Sequence, residues 1–170
     1  FRKMTPAAIL AFDAVSKRFP ESSMFVHAQC ELEKLPSQVV EIVQRNPRIE
    51  YRVATVPAPG LYHRGRVLLF PTKLEGLGLP LLEGLACGLP VITTDAAPMN
   101  EFIRDGYNGV LVRVAHRFTR EDNIAFPEEV IDVNDLVAKM SELASHPERI
   151  DEMAHNARNY AEAELDMKKF

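Results

Sequence analysis

Two glutamates and the glycine-containing loop between them are the residues best suited to ligand chemistry. Glu75 lies in a loop after a short apolar strand, and Glu83 follows eight residues later in a helix that Pro80 can open. Gly76 and Gly78 lack side chains, so their backbone can approach a ligand closely. The helix start adds unpaired N–H groups and the positive end of a dipole, which suit a phosphate group. We place Glu83 in the first helical turn, so both carboxylates can face one cleft.

The spacing of these residues also has an ordinary structural interpretation. A glutamate in a first helical turn stabilises the helix dipole by about 0.3–1 kcal/mol without any ligand. A strand, a glycine-containing loop and a helix follow one another in many unrelated α/β domains. On spacing alone, the structural interpretation is favoured.

Predicted strands and helices alternate along the chain and must position these residues. The predicted strands cover residues 24–28, 49–55, 67–70, 91–94 and 110–112, and the predicted helices cover 6–19, 38–45 with Ser37 as the cap, 80–87, 101–105, 134–145 and 147–164. This order predicts an α/β fold, a parallel sheet with helices on both faces, which binds ligands beyond the carboxyl ends of its strands. We place Thr5 at the N-cap of the first helix and interpret residues 115–130 as a polar, irregular insertion.

Composition excludes several classes of protein. The chain has 170 residues, 46% of them hydrophobic and 26% charged, with a net charge of −4. These values fit one globular domain and exclude a disordered or coiled-coil chain. No basic excess suggests nucleic acid as a partner, and no apolar run reaches the length of about 20 residues that a membrane span needs. Cys30 and Cys87 lack metal-type spacing, so we expect neither a zinc site nor a disulfide, and we expect a reducing compartment.

The segment from Glu75 to Ile92 resembles the retaining glycosyltransferases of the GT-B fold, in the glycosyl transferases group 1 family. It reads EGLGLPLLEGLACGLPVI, close to that family's pattern E-G-x-G-L-P-x-L-E-A-x-A-x-G-x-P-V-I, in which seven residues separate the two glutamates. Pro71-Thr72 before it, and residues 101–103 and 105–109 after it, also match. Arg2-Lys3 and the helix that follows resemble the family's Lys-Gly element.

The resemblance implies a fold and a domain organisation. The fold is Rossmann-like, the C-terminal half of a GT-B enzyme, and residues 1–170 form a single nucleotide-sugar-binding domain. We expect the chain to be a fragment that lacks the first strand of this domain and the N-terminal acceptor domain. It is therefore expected to bind donor weakly and to transfer nothing alone. The full protein is expected in the cytoplasm, with peripheral membrane contact possible through the missing domain.

The resemblance also implies ligands and roles. The donor is a UDP-, GDP- or ADP-sugar, the acceptor is not specified, and no metal or other cofactor is required. Glu75, with the donor sugar, and Lys3, with the diphosphate, are the implied catalytic residues. Glu83 would accept hydrogen bonds from the ribose hydroxyls. The backbone amides of four further residues would bind sugar and phosphate oxygens: Gly76, Leu77, Gly78 and Leu79.

Two other functions stay open. One is a nucleotide-sugar-binding module without catalysis, against which the intact pair of glutamates argues. The other is a different GT-B enzyme such as a sugar-nucleotide epimerase, against which the sequence of residues 76–90 argues. The chain also departs from the family pattern, with Ala28 where glycine is usual before the nucleobase, Met4 after Lys3, and Gly84 in place of alanine.

Overall fold

The computed structural model of the chain describes residues 2–119 and 126–165. The α-helices are α1 (Thr5–Arg18), α2 (Ser37–Arg45), α3 (Leu79–Ala86), α4 (Met99–Phe102), α5 (Val133–Ser145) and α6 (Pro147–Glu164). The strands are β1 (Met24–Ala28), β2 (Ile49–Val53), β3 (Leu68–Phe70), β4 (Val91–Thr94), β5 (Gly109–Val112), β6 (Val114–Thr119) and β7 (Pro127–Ile131). The predicted α/β fold is confirmed. Thr5 is the first helical residue rather than the N-cap, a position that Met4 occupies without a side-chain cap.

The strands of the α/β part pair in parallel, in two sheets. Strands β1 and β2 form one sheet, and β3, β4 and β5 form the other in that order. In the larger sheet, Val91 of the central strand pairs with Leu68 on one side and Gly109 on the other. The ends of β3 and β4 therefore lie at the same edge, where the loop containing Glu75 begins.

Helices cover both faces of the three-stranded sheet, as neighbouring residues of β4 show. Val91 belongs to a hydrophobic cluster with Leu85 of α3 and residues of α6. The next residue, Ile92, belongs to a different cluster with Ala11 of α1 and Leu136 of α5. Because successive strand residues point to opposite faces, α3 and α6 pack on one face and α1 and α5 on the other.

Helix α1 connects the two parallel sheets. Its residues Ile9 and Phe12 share a cluster with Val26 of β1 and Val39 of α2, whereas Ala11 packs in the cluster beneath the larger sheet. In the described part of the chain, β1 has only β2 as a ladder partner and β3 has only β4. Each of these two strands therefore has one edge that no other described strand covers.

The prediction of an irregular insertion over residues 115–130 is wrong. Strands β6 and β7 form an antiparallel hairpin in which Phe118 pairs with Glu128, and residues 120–125 between them lie outside the described residues. From residue 115 to residue 119, most of β6 is exposed to solvent. It therefore has few of the buried apolar residues from which strands were predicted.

Candidate functional site

Lys3 is positioned by a short antiparallel pairing with the segment that follows β3. The amide of Met4 donates to the carbonyl of Pro71 at 3.0 Å, and the amide of Lys73 donates to the carbonyl of Arg2 at 3.0 Å. Lys3 therefore lies opposite the residue that follows Pro71. These two hydrogen bonds bring the start of the chain to the carboxyl end of β3.

The structure brings Lys3 into direct contact with Glu75, 72 positions away in sequence. The Lys3 ammonium donates to Oε1 of Glu75 and lies 4.0 Å from the centre of the Phe70 ring. The Glu75 side chain is only 7% exposed, and that of Lys3 is 38% exposed. Burial lowers the pKa of Lys3 below its ordinary value, and the hydrogen bond and charge of Glu75 offset only part of this effect.

Thr72 is the second residue that holds the Glu75 carboxylate. Its hydroxyl donates to the same oxygen, Oε1, at 2.6 Å, and in the described part of the chain Oε2 accepts no hydrogen bond. The backbone of Thr72 is itself fixed by the buried Thr94 of β4. The Thr94 hydroxyl donates to the Thr72 carbonyl at 2.7 Å, and the Thr72 amide donates to the Thr94 hydroxyl at 3.1 Å. Glu75 is thus anchored to the centre of the sheet with one oxygen available.

Sequence reasoning missed the role of the threonines, although a signal for it exists. Thr93 and Thr94 are both fully buried in β4, a strand with no exposed residue. A buried hydroxyl needs a hydrogen-bond partner, and Thr93 finds one in the Phe70 carbonyl at 2.9 Å. Two adjacent threonines in a buried strand therefore predict bonds to the neighbouring strand end.

The loop from Gly76 to Leu79 presents unpaired backbone amides. The N–H groups of these four residues have no acceptor among the described residues. Gly78 caps α3 in the left-handed conformation, with φ of +81°, and its carbonyl accepts the amide of Leu81 at 2.8 Å. A side chain at position 76 would extend into open space, and Leu77 and Leu79 are largely exposed. The loop can therefore receive an anionic or hydroxylated ligand through its backbone.

Glu83 lies outside the first turn of α3, so that part of the prediction is wrong. The helix begins at Leu79, which makes Glu83 its fifth residue. Its exposed carboxylate accepts a hydrogen bond on Oε2 from the hydroxyl of Tyr62, and no described contact joins it to Lys3 or Glu75. Burial, together with the hydrogen bond and charge of Glu83, raises the pKa of Tyr62. Tyr62 had no motif around it and was not predicted.

The β6–β7 hairpin supports the loop that carries Glu75. The amide of Glu129 donates to the carbonyl of Lys73 at 2.9 Å, and the Lys73 ammonium bonds to Glu128 at 3.3 Å. The same ammonium lies 5.3 Å from the centre of the Phe118 ring. The region expected to be irregular therefore braces the candidate site.

Neither a metal cluster nor a membrane helix is found in the described residues. Residues 2–119 and 126–165 contain no group of three or more histidine, cysteine, aspartate or glutamate side chains that could hold a metal ion. Among the same residues, no helix has both the length and the apolar character required to span a membrane.

Fold and site together define a Rossmann-like α/β domain with a polar site at the carboxyl end of its central strands. The chain belongs to the glycosyl transferases group 1 family, whose sequence profile matches residues 9–146. The match includes both glutamates and the loop between them, and it begins after Lys3.

Two curated relatives match part of the chain. An uncharacterised glycosyltransferase of Methanocaldococcus jannaschii is 31% identical over 94 residues, which are 55% of this chain and 22% of the relative. The O-antigen chain mannosyltransferase B of Escherichia coli is 37% identical over 71 residues, which are 40% of this chain and 18% of the relative. The matched part of the chain thus spans about a fifth of each relative.

Solved structures share the fold over almost the whole chain. The C-terminal domain of a group 1 glycosyl transferase from Francisella tularensis has a TM-score of 0.78 at 20% identity, covering 98% of this chain and 81% of that one. The pneumococcal O-GlcNAc transferase crystallised with UDP and GlcNAc has a TM-score of 0.75 at 24% identity, covering 95% of this chain and 30% of that one. The fold is therefore that of the C-terminal domains of GT-B glycosyltransferases.

Proposed function

We propose that the chain is the donor-binding domain of a glycosyltransferase that transfers a sugar from a nucleoside diphosphate sugar to an acceptor. The observation that carries the proposal is the contact between Lys3 and Glu75 beside the four unpaired amides of residues 76–79. A cation, a carboxylate and a row of N–H donors provide what a diphosphate joined to a sugar requires. The resemblance of residues 75–92 to retaining enzymes supports transfer with retention, from a UDP-, GDP- or ADP-sugar.

Lys3 and the loop amides act on the diphosphate. The diphosphate gains negative charge as it leaves the sugar, and donors already aimed at that charge lower the barrier. The ammonium of Lys3 is half-buried, so water screens its charge less than at an open surface. The amides of residues 76–79 add neutral donors at the N-terminal end of α3.

Glu75 binds hydroxyls of the donor sugar. An ionised carboxylate is an acceptor with two oxygens, and Lys3 and Thr72 both use Oε1. Oε2 is left to accept from the sugar. Because the side chain is buried and two donors hold its Oε1, it loses little conformational freedom when the sugar binds.

Glu83 binds the ribose of the nucleotide. Its Oε1 accepts no hydrogen bond in the described part of the chain, while Tyr62 uses Oε2. Two adjacent ribose hydroxyls are both donors, and one carboxylate can accept from both. Because the Glu83 side chain is exposed, water competes for its oxygens, and we expect about 1–3 kcal/mol from the two bonds together.

We further propose that this domain works with an acceptor-binding domain in one protein. The short share of each curated relative that the chain matches supports this organisation. The open edges of β1 and β3 are suited to a further parallel strand that would join the two sheets. We place the protein in the cytoplasm, where free thiols such as Cys30 and Cys87 persist.

A binding screen tests the proposal. The whole protein is heated with UDP-, GDP- and ADP-sugars in turn, and one of them is expected to raise Tm. Replacing Glu83 with alanine should then weaken binding of the matching nucleoside diphosphate by about 1–3 kcal/mol in calorimetry. Glu152→Ala, at an exposed position of α6, serves as the control and should bind as wild type does. Equal affinities for the Glu83 variant and wild type would remove the ribose assignment.

A further inference from the structure

Tyr62 holds the carboxylate to which we assign the ribose. It begins a short 3₁₀ helix, Tyr62–Arg64, between β2 and β3, and its hydroxyl donates to Oε2 of Glu83 on α3. Among the described residues, Glu83 makes no other side-chain hydrogen bond. The conformation of the Glu83 carboxylate thus depends on one neighbour, 21 positions earlier in sequence.

The ring of Tyr62 is itself held in place. It packs on Gly60, where an added Cβ would lie 3.4 Å from the ring and where φ is +81°, a conformation that favours glycine. Two residues after Tyr62, the Arg64 guanidinium bonds to Glu50 of β2 at 2.7 Å and lies 4.3 Å from the centre of the Phe25 ring of β1. Arg64 therefore joins the 3₁₀ turn to the smaller sheet, and Tyr62 joins it to α3. These contacts hold the Tyr62 hydroxyl in one position next to Glu83.

The hydroxyl and the ribose do not compete for the same acceptor. Burial and the Glu83 carboxylate raise the pKa of Tyr62, so its hydroxyl keeps its proton and acts as a donor. A carboxylate offers about four lone-pair positions, and Tyr62 uses one of them on Oε2. Oε1 and part of Oε2 remain for other donors.

We propose that Tyr62 is a positioning residue for donor binding, whose hydroxyl orients the Glu83 carboxylate so that it accepts from both ribose hydroxyls. The inference rests on the proposed role of Glu83. It adds a residue outside the glutamate motif on which recognition of the ribose depends.

The test compares nucleotides with and without ribose hydroxyls. Calorimetry on the whole protein identifies which of UDP, GDP and ADP binds most tightly, and that nucleotide is then compared with its 2′,3′-dideoxy form. In Tyr62→Phe, the Kd of the normal nucleotide should rise about five- to twentyfold, because one charge-assisted hydrogen bond no longer orients Glu83. The Kd of the dideoxy nucleotide should be the same in the variant and in wild type.

Tyr107→Phe is the matched control for the Tyr62 variant. Tyr107→Phe removes an exposed hydroxyl that bonds to nothing in the described residues, and it should leave both Kd values unchanged. Tighter binding by Tyr62→Phe would mean that Tyr62 competes with the ribose. An unchanged Kd, or an equal loss for both nucleotides, would reduce Tyr62 to a structural residue. Each of these results overturns the proposal.

Glu83→Gln separates this inference from the proposed function. If Glu83→Gln weakens binding and Tyr62→Phe does not, only the role of Tyr62 fails. If Glu83→Gln binds as wild type does, the ribose assignment fails and the Tyr62 proposal fails with it. If wild type binds none of the three nucleotides, the proposed donor site itself is wrong.

Discussion

Replacing Glu75 with glutamine removes the charge at the centre of the candidate site and keeps the size of the side chain. In wild type, Oε1 accepts from Lys3 and Thr72, and Oε2 is open. Glutamine has one acceptor oxygen, and its amide nitrogen is a donor. If the oxygen keeps its contacts with Lys3 and Thr72, a donor faces the sugar hydroxyls where an acceptor stood. Lys3 also loses the charge of its partner.

The contacts of Glu75 set the size of the effect on stability. Breaking a fully buried ion pair costs about 3–5 kcal/mol. Exposed pairs contribute about 0.2–1 kcal/mol. Because Glu75 is 7% exposed and Lys3 is 38% exposed, water screens one partner, and we expect a loss of about 1–2 kcal/mol in the free energy of unfolding.

The loss in turnover should exceed the loss in stability. One charge-assisted hydrogen bond to the sugar is worth about 1.5–3 kcal/mol, which corresponds to about a 10- to 150-fold lower kcat. Nucleoside diphosphate affinity should not fall, because Lys3 keeps its charge and no longer has a competing anion. The assay measures kcat with donor sugar and Kd for the nucleoside diphosphate on the whole protein.

Asp13→Asn is the matched control for this experiment. The Asp13 side chain of α1 is also 7% exposed and pairs with Arg45 of α2 at 2.7 Å, but this ion pair lies outside the candidate site. We expect Asp13→Asn to lower stability without lowering kcat. Turnover of Glu75→Gln at the wild-type rate would refute the assignment of Glu75. A parallel fall in kcat and nucleotide affinity would mean that Glu75 holds the nucleotide instead of the sugar.

Two further predictions follow from the same structure. Because burial lowers the pKa of Lys3 below 10.5, nucleoside diphosphate affinity in wild type should decline at a pH below that value as the ammonium loses its proton. The Lys3→Arg variant stays charged and should keep its affinity over the same pH range. Calorimetry that finds the affinity of both proteins constant up to pH 10.5 would contradict the assignment of Lys3 to the diphosphate. In Gly109→Ala, the added Cβ would lie 2.3 Å from the Val91 carbonyl, and denaturant unfolding should show a loss of about 2–3 kcal/mol. Gly106→Ala would place its Cβ in open space but has a φ of +77°, and its free energy of unfolding should fall by only about 1–2 kcal/mol. A loss at Gly106 equal to or larger than that at Gly109 would show that backbone conformation matters more than the contact with Val91.

The sequence predicts local structure well where burial leaves a pattern. β4 consists of β-branched residues that are buried throughout, and α5 carries apolar residues at helical spacing, so both elements were predicted close to their observed bounds. The β6–β7 hairpin was not predicted, because β6 is stabilised by pairing with β7 and by the contact of Phe118 with Lys73 rather than by burying its own side chains. Hydrogen bonds to distant residues leave no periodicity in a strand.

The first residue of α3 could not be predicted from neighbouring residues alone either. The sequence predicts Pro80 as the first residue of α3, whereas Gly78, in the left-handed conformation, caps a helix that begins at Leu79. The one-residue difference leaves Glu83 in the helix but moves it past the first turn, where the sequence had predicted it. Its stabilisation by the helix dipole is therefore weak, because that effect decays within the first turn.

By itself, the sequence determined the alternation of strands and helices, the glycine loop at a strand end and the family motif from Glu75 to Ile92. Only the tertiary structure decided that Lys3 contacts Glu75, that Thr94 anchors Thr72, and that Tyr62 holds Glu83. The reason is physical. Local propensities and apolar periodicity act over a few residues, whereas contacts across 21 to 72 positions depend on strand order and on the packing of α1 and α3 against the sheet.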